Sequence, residues 1–169
     1  FLALIAISAG IGFGLNSFRA KPLPMVYQTP AERLEASVKG GMGAADKHSH
    51  TENTPIQGIS LDELKTLIGK PDTLILDARP SLFYETGHIT SALNLSKKGF
   101  EQDFKRLISR LKDSKVKEFI VYCPDAGCDD SEIVAQALAR LGFGPVRIFK
   151  GGWEAWEAAG LPVEKGQQG

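Results

Sequence analysis

A short apolar run followed at once by a cysteine-containing loop and a helical pattern constrains the fold of this chain most. The run Glu118 to Tyr122 predicts a buried strand. From Asp130 onward, apolar residues recur at helical spacing, namely Ile133, Val134, Ala137, Leu138 and Leu141. The loop 123–131 therefore joins the carboxyl end of a strand to the amino terminus of a helix. In open α/β sheets, ligands and chemistry usually lie at this place.

The same alternation of strands and helices extends from Gly58 to about residue 166. Strands are predicted at 73–76, 92–95, 118–122 and 146–149, and helices after the Ser60–Glu63 capping box, at 100–111, at 130–141 and from Gly152. Such alternation predicts an α/β fold with a small, mostly parallel central sheet and helices on both faces. A domain of about 110 residues can bury a sizeable core. We assign it to residues 58–166.

The amino-terminal residues 1–18 carry no charge and only three polar side chains. As a helix they would span roughly 27 Å, close to the hydrocarbon thickness of a bilayer. A buried core helix or a cleaved signal peptide is the alternative, but Phe18 stands where a cleavage site before Lys21 needs a small residue. We therefore predict one transmembrane helix at 1–19, which makes the protein a single-pass membrane protein.

Small residues recur every four positions along this segment, at Ala6, Gly10 and Gly14. Such a face could contact another membrane helix, although membrane helices are also simply rich in glycine. Arg19 and Lys21 follow the segment, and their charge favours a cytoplasmic side. The polar tether behind an amino-terminal anchor instead favours an extracytoplasmic, periplasmic domain, and we expect the latter.

Residues 20–57 are predicted to be a flexible linker because prolines, glycines and polar residues dominate them. Within this range, 31–38 could form a short helix. The pair His48 and His50 could suggest a metal, but a His-x-His pair in a polar stretch is usually part of a solvated linker, which is the simpler interpretation.

Charge and cysteine content exclude several classes of function. The 20 basic and 20 acidic residues balance, so bulk charge favours neither nucleic acid nor an acidic membrane surface. The two cysteines, Cys123 and Cys128, share one loop. Two cysteines in one loop are too few for a disulfide framework or for the four ligands of a zinc site. We expect no metal and no cofactor.

The position of Cys123 predicts a nucleophile. A thiol at the end of a strand and before a helix would face unpaired backbone N–H groups and the positive end of the helix dipole. Both favour the thiolate, which is the reactive form of cysteine.

Two stretches flanking this loop resemble the signatures of the rhodanese family. Leu76-Asp-Ala-Arg-Pro80, Phe83, Gly87-His-Ile89 and Ala92-Leu-Asn-Leu95 are similar to its first signature, and Val146 to Val163, with Lys-Gly-Gly-Trp, is similar to its closing one. The resemblance covers Gly58 to about Lys165. It implies that Cys123 carries sulfane sulfur as a persulfide cradled by loop N–H groups. It also implies that Asp77 and Arg79 match the family's Asp-x-Arg beside the site.

Several residues in these signatures also admit structural roles. Asp77 could support the loop rather than transfer a proton, and Arg79 could pair with Asp77. His88 follows a turn and is expected to be structural. Trp153 and Trp156 are expected to pack in the core.

The loop departs from the usual sulfurtransferase pattern at its fifth position, where Cys128 replaces an arginine. Its acidic residues Asp125, Asp129 and Asp130 would oppose anionic donors such as thiosulfate, with no guanidinium to hold them. A phosphatase function is disfavoured for the same reason. The residues expected to form the substrate-binding loop are Pro124, Asp125, Ala126, Gly127, Asp129, Asp130 and Ser131.

Cys128 suggests a resolving thiol that attacks a persulfide on Cys123, releases sulfide and leaves a disulfide. The pair could instead cycle as a dithiol without sulfane sulfur, or Cys128 could be a small buried residue. The predicted function is therefore sulfur transfer or thiol–disulfide exchange with a small sulfur donor or thiol. The alternative is a non-catalytic docking subunit of a membrane protein complex.

Overall fold

The computed structural model describes residues 27–39 and 56–166 of the chain. The predicted anchor at 1–19, its small residues Ala6, Gly10 and Gly14, and the histidines His48 and His50 lie outside these residues. Within 27–39 and 56–166, none of the helices combines the length and apolar character that crossing a membrane requires.

The described residues contain six helices and seven strands. The helices are α1 (Pro30–Lys39), α2 (Leu61–Leu67), α3 (Ser81–Thr86), α4 (Phe100–Leu111), α5 (Asp130–Arg140) and α6 (Gly152–Ala158). The strands are β1 (Gln57–Gly58), β2 (Thr73–Asp77), β3 (His88–Ile89), β4 (Leu93–Asn94), β5 (Glu118–Tyr122), β6 (Val146–Phe149) and β7 (Val163–Glu164).

Five of these strands form one parallel sheet. Their order is β1-β6-β5-β2-β4, and every pairing in the sheet is parallel. The remaining two, β3 and β7, form a separate antiparallel pair. Strand β5 lies in the centre, between β2 and β6, so the residue that follows it emerges at the middle of the sheet edge. The predicted α/β fold with a mostly parallel sheet is confirmed.

The sheet is covered on both faces, as the strand patterns predict. On one face, Phe119 and Val121 of β5 pack in a core with α1, α4 and α5. On the other face, Ile120 and Tyr122 pack in a core with α2 and α6. Since side chains alternate along a strand, the next residue, Cys123, returns to the first face, and it is buried in that first core.

The helix α1 lies inside the range that we expected to be a flexible linker. Its residues Ala31 and Val38 are buried, and Arg140 of α5 donates hydrogen bonds to Glu32 at 2.6 Å and to Glu35 at 2.9 Å. A linker therefore does not describe residues 30–39, whereas the short helix considered for 31–38 is present. The sequence signal is weak here because α1 has few apolar residues and its ionic partner is more than a hundred positions away.

Candidate active site

Cys123 is held at the carboxyl end of β5 by the neighbouring strand. The amide of Ala78 donates to the carbonyl of Tyr122 at 2.9 Å, which extends the sheet pairing up to the cysteine. The Cys123 residue is only 2% exposed. The structure therefore places the predicted nucleophile at the expected edge, but beneath its own loop.

Two carbonyl groups and one hydroxyl surround the Cys123 sulfur. Its Sγ lies 3.2 Å from the carbonyl oxygen of Cys128, 3.7 Å from that of Asp125 and 3.2 Å from Oγ of Ser131. Carbonyl oxygens accept hydrogen bonds and cannot donate them. The expectation that loop N–H groups face this sulfur is thus wrong for this conformation, because the turn at 125–128 directs carbonyls inward.

The sulfur that accepts a backbone N–H at the start of helix α5 belongs to Cys128. Its Sγ accepts a hydrogen bond from the amide of Asp130 at 3.4 Å. Burial raises the pKa of the Cys128 thiol to about 12, with the hydrogen bond to Cys123 adding to the rise and the Asp130 amide opposing it. Cys128 is therefore a neutral thiol at physiological pH, which leaves Cys123 as the candidate nucleophile.

The acidic residues of the loop differ in their hydrogen-bond and ion-pair partners. Asp125 accepts a hydrogen bond from the amide of Gly127 at 2.7 Å, which stabilises the turn. Asp130 forms an ion pair with Lys97, which lies between β4 and α4. Asp129 is exposed and makes no side-chain capping bond to α5. Sequence reasoning missed Lys97 because the contact spans more than thirty positions.

Helix α6 holds the first part of the loop from outside. The amide of Trp153 donates to the carbonyl of Cys123, and that of Glu154 donates to the carbonyl of Pro124, both at 2.9 Å. Gly152 makes this approach possible because its φ is +63° and a Cβ there would lie 2.5 Å from the Cys123 carbonyl oxygen. The Lys-Gly-Gly-Trp signature was the only sequence signal for this support.

Asp77 and Arg79 form a buried ion pair on the opposite face of the sheet from Cys123. The Nε and Nη2 atoms of Arg79 donate to the Asp77 carboxylate at 2.7–3.0 Å, and Nη2 also donates to the carbonyl of Gly87. The hydroxyl of Tyr122 donates to the same carboxylate at 2.6 Å. None of the hydrogen bonds seen for Asp77 and Arg79 within the described ranges goes to Cys123.

The environment of this ion pair keeps Arg79 protonated and the Tyr122 hydroxyl neutral. Burial alone would lower the pKa of Arg79, but the hydrogen bonds and charge of Asp77 outweigh it and raise that pKa. Burial and the Asp77 carboxylate likewise raise the pKa of Tyr122 well above its usual value. The Arg79 guanidinium also lies 4.6 Å from the ring centroid of Trp153. The pair therefore supports the loop indirectly, through Tyr122 on one side and Trp153 on the other.

The remaining signature residues have packing contacts. His88 is buried and its ring stacks on Tyr84 at 3.6 Å, while Nδ1 lies 2.8 Å from the Tyr84 carbonyl. Trp156 is 2% exposed and donates to the Pro162 carbonyl. In the part of the chain that the structure describes, no group of histidine, cysteine and carboxylate side chains could hold a metal ion.

The domain has an α/β fold, and a loop that begins with a cysteine follows the central strand of its parallel sheet. The family described as Rhodanese-like domain matches residues 60–159, which is more than half of the chain. This chain belongs to that family.

Individual relatives share this domain to different extents. The chain is 34% identical over 94 residues to the tRNA uridine(34) hydroxylase of Wigglesworthia glossinidia brevipalpis, covering 56% of this chain but only 29% of that protein. It is 26% identical to the mouse thiosulfate sulfurtransferase/rhodanese-like domain-containing protein 3, covering 75% and 84%. The solved structure of the BH2092 protein from Bacillus halodurans superimposes with a TM-score of 0.56 at 26% identity, covering 64% and 77%.

Proposed function

We propose that this domain transfers sulfur by carrying it as a persulfide on Cys123. The observation that carries the proposal is a cysteine at the end of the central strand with a second thiol in the same loop. Cys123 Sγ lies 3.2 Å from the Cys128 carbonyl oxygen, and Cys128 Sγ accepts a hydrogen bond from the Asp130 amide at 3.4 Å. Membership of the Rhodanese-like family and the sulfurtransferase name of the mouse relative support the same chemistry.

Loading is a displacement at sulfur. The Cys123 thiolate attacks the outer sulfur of a small persulfide R–S–SH, a new S–S bond forms, and the old one breaks to release R–S⁻. No oxidant is needed, because the donor already carries the sulfane sulfur. Since Cys123 is 2% exposed, the turn at 125–128 must move aside for the donor to reach it.

The charge around the loop favours neutral or cationic donors over thiosulfate. Asp129 is exposed, and Asp130 forms an ion pair with Lys97. A dianion would therefore approach uncompensated negative charge with no bidentate guanidinium to bind it. We infer that a low-molecular-weight persulfide is the better donor.

Cys128 would resolve the persulfide only slowly at neutral pH. Its thiolate would attack Cys123 Sγ, form the Cys123–Cys128 disulfide and release HS⁻. Because burial raises the pKa of the Cys128 thiol, only a small fraction of Cys128 is ionised at neutral pH. We therefore expect sulfide release from the loaded protein to rise as the pH increases from 7 to 10. Methylene-blue detection of sulfide measures this, and release that stays flat with pH, or rises equally in Cys128→Ser, would contradict the assignment.

The two cysteines should differ when each is replaced. Cys123→Ser is expected to abolish bound sulfane sulfur because the attacking thiolate is gone. Cys128→Ser is expected to load normally and to be unable to form the internal disulfide. Cyanide treatment of the desalted, loaded proteins measures bound sulfane sulfur as thiocyanate. Equal thiocyanate from the wild type and Cys123→Ser would reject the proposal.

The burial of Cys123 favours one alternative, a docking subunit that uses the rhodanese fold without catalysis. Such a subunit would be held by the anchor predicted at 1–19, with Ala6, Gly10 and Gly14 toward a partner helix. In that case Cys123 should react with iodoacetamide no faster than an ordinary free thiol of the same exposure. Preferential labelling of Cys123 near neutral pH would instead favour sulfur transfer.

A further inference from the structure

Ser131 carries the one hydroxyl, among the described residues, that is hydrogen-bonded to the Cys123 sulfur, and it is buried together with that sulfur. It is the second residue of α5 and is 1% exposed. Its Oγ lies 3.2 Å from Cys123 Sγ. The other polar groups beside this sulfur in the described ranges are the carbonyl oxygens of Cys128 and Asp125 and the neutral Cys128 thiol.

These partners respond differently when Cys123 ionises. A neutral thiol can donate its hydrogen to the Cys128 carbonyl at 3.2 Å. A thiolate has no hydrogen to donate, so the carbonyls become repulsive neighbours, whereas a hydroxyl can rotate and donate. Hydrogen bonds to a charged group are stronger than hydrogen bonds between neutral groups.

No ionised side chain among the described residues is hydrogen-bonded to Cys123 Sγ. From the loop, the neutral Cys128 thiol contacts Cys123, the Asp125 carboxylate turns to Gly127, and Asp130 pairs with Lys97. From α6, Glu154 contacts the loop through its amide. On the far face of the sheet, Arg79 is neutralised by Asp77.

We propose that Ser131 is a catalytic residue whose hydroxyl stabilises the ionised sulfur of Cys123. The hydroxyl supplies, from the helix side, part of what an arginine in the loop would have supplied. When Cys123 is a thiol, the Ser131 hydroxyl can accept a hydrogen bond from it. When the Cys123 proton leaves to solvent, the hydroxyl rotates and donates its own hydrogen to Sγ. This inference concerns the ionisation of Cys123 and deepens the sulfur-transfer proposal without depending on its donor.

The test is the pH profile of Cys123 alkylation in the full chain. A Cys128→Ala background leaves one thiol and adds no hydroxyl beside Cys123, and iodoacetamide labelling is followed by mass between pH 5 and 10. Ser131→Thr and Ser131→Val form a matched pair, because the two side chains have nearly the same shape and differ in the hydroxyl. Ser131→Ala removes the hydroxyl without adding volume.

We expect Ser131→Val and Ser131→Ala to move the midpoint of the labelling rate upward by about one pH unit, with Ser131→Thr close to the parent. The rate at the alkaline plateau should change little. Midpoints of the alanine and valine variants within about 0.3 unit of the parent, with native unfolding midpoints, would overturn the role of Ser131. No sulfur donor is used, so failed persulfide loading and a failed role for Ser131 are separate results.

Discussion

Replacing Asp77 by alanine is expected to destabilise the domain by about 3–5 kcal/mol, the cost of leaving one partner of a buried ion pair alone. Arg79 is 4% exposed, and its guanidinium would lose the carboxylate that accepts its Nε and Nη2 hydrogens. The buried hydroxyl of Tyr122 would lose its acceptor as well. Such a loss is a large part of the total stability of a small domain.

Urea unfolding followed by tryptophan fluorescence measures this effect. Asp62→Ala is the matched control, because Asp62 pairs with Lys65 on an exposed surface of α2 and its loss should leave the midpoint nearly unchanged. If Asp77→Ala and Asp62→Ala unfold at the same urea concentration, the Asp77–Arg79 pair has no supporting role and its place beside the loop must be reconsidered.

Replacing Gly152 by alanine is expected to displace the cysteine loop and to lower stability by about 2–4 kcal/mol. The added Cβ would lie 2.5 Å from the Cys123 carbonyl oxygen and 2.7 Å from the carbonyl carbon and oxygen of Pro124. These atoms are backbone, so they cannot rotate away. The hydrogen bonds from Trp153 and Glu154 to the same carbonyls would be strained.

The chain provides a close control for the backbone part of this effect. Gly160 has φ of +62°, against +63° for Gly152, but a Cβ there would meet nothing within 4 Å. Gly160→Ala should therefore cost only the left-handed conformation, about 1–2 kcal/mol. The difference in unfolding free energy between the two variants measures the cost of the Cβ clash at position 152 alone, because both variants carry the cost of the left-handed backbone. The rate of iodoacetamide labelling of Cys123 measures how far the loop is displaced. Equal stabilities with unchanged labelling would show that α6 does not hold the loop closed.

The strands of the central sheet could be predicted from the sequence because parallel buried strands are continuous apolar runs. The runs at 118–122 and 146–149 coincide with β5 and β6, and the run at 73–76 extends by one residue to Asp77. The helical stripe at 100–111 likewise became α4, with Phe100, Phe104, Leu107 and Leu111 buried. In each case the local pattern and the tertiary environment agree.

The arrangement around the sulfur could not be predicted in the same way. Whether Asp77 faces Cys123 depends on strand register, and the pairing of Asp77 with Tyr122 places the carboxylate on the face away from the cysteine. The carbonyls of Cys123 and Pro124, at the start of the loop, accept hydrogen bonds from α6, which begins nearly thirty residues after Cys123. Ser131 could be placed in the loop, but its contact with the Cys123 sulfur follows from how α5 begins.

The most direct test of the account is the intact mass of the reduced full-length protein before and after incubation with a low-molecular-weight persulfide. The account predicts a gain of one sulfur atom that reductant removes, that persists in Cys128→Ser and that is absent in Cys123→Ser. An unchanged wild-type mass, under conditions that load an established sulfurtransferase in parallel, would contradict the persulfide on Cys123.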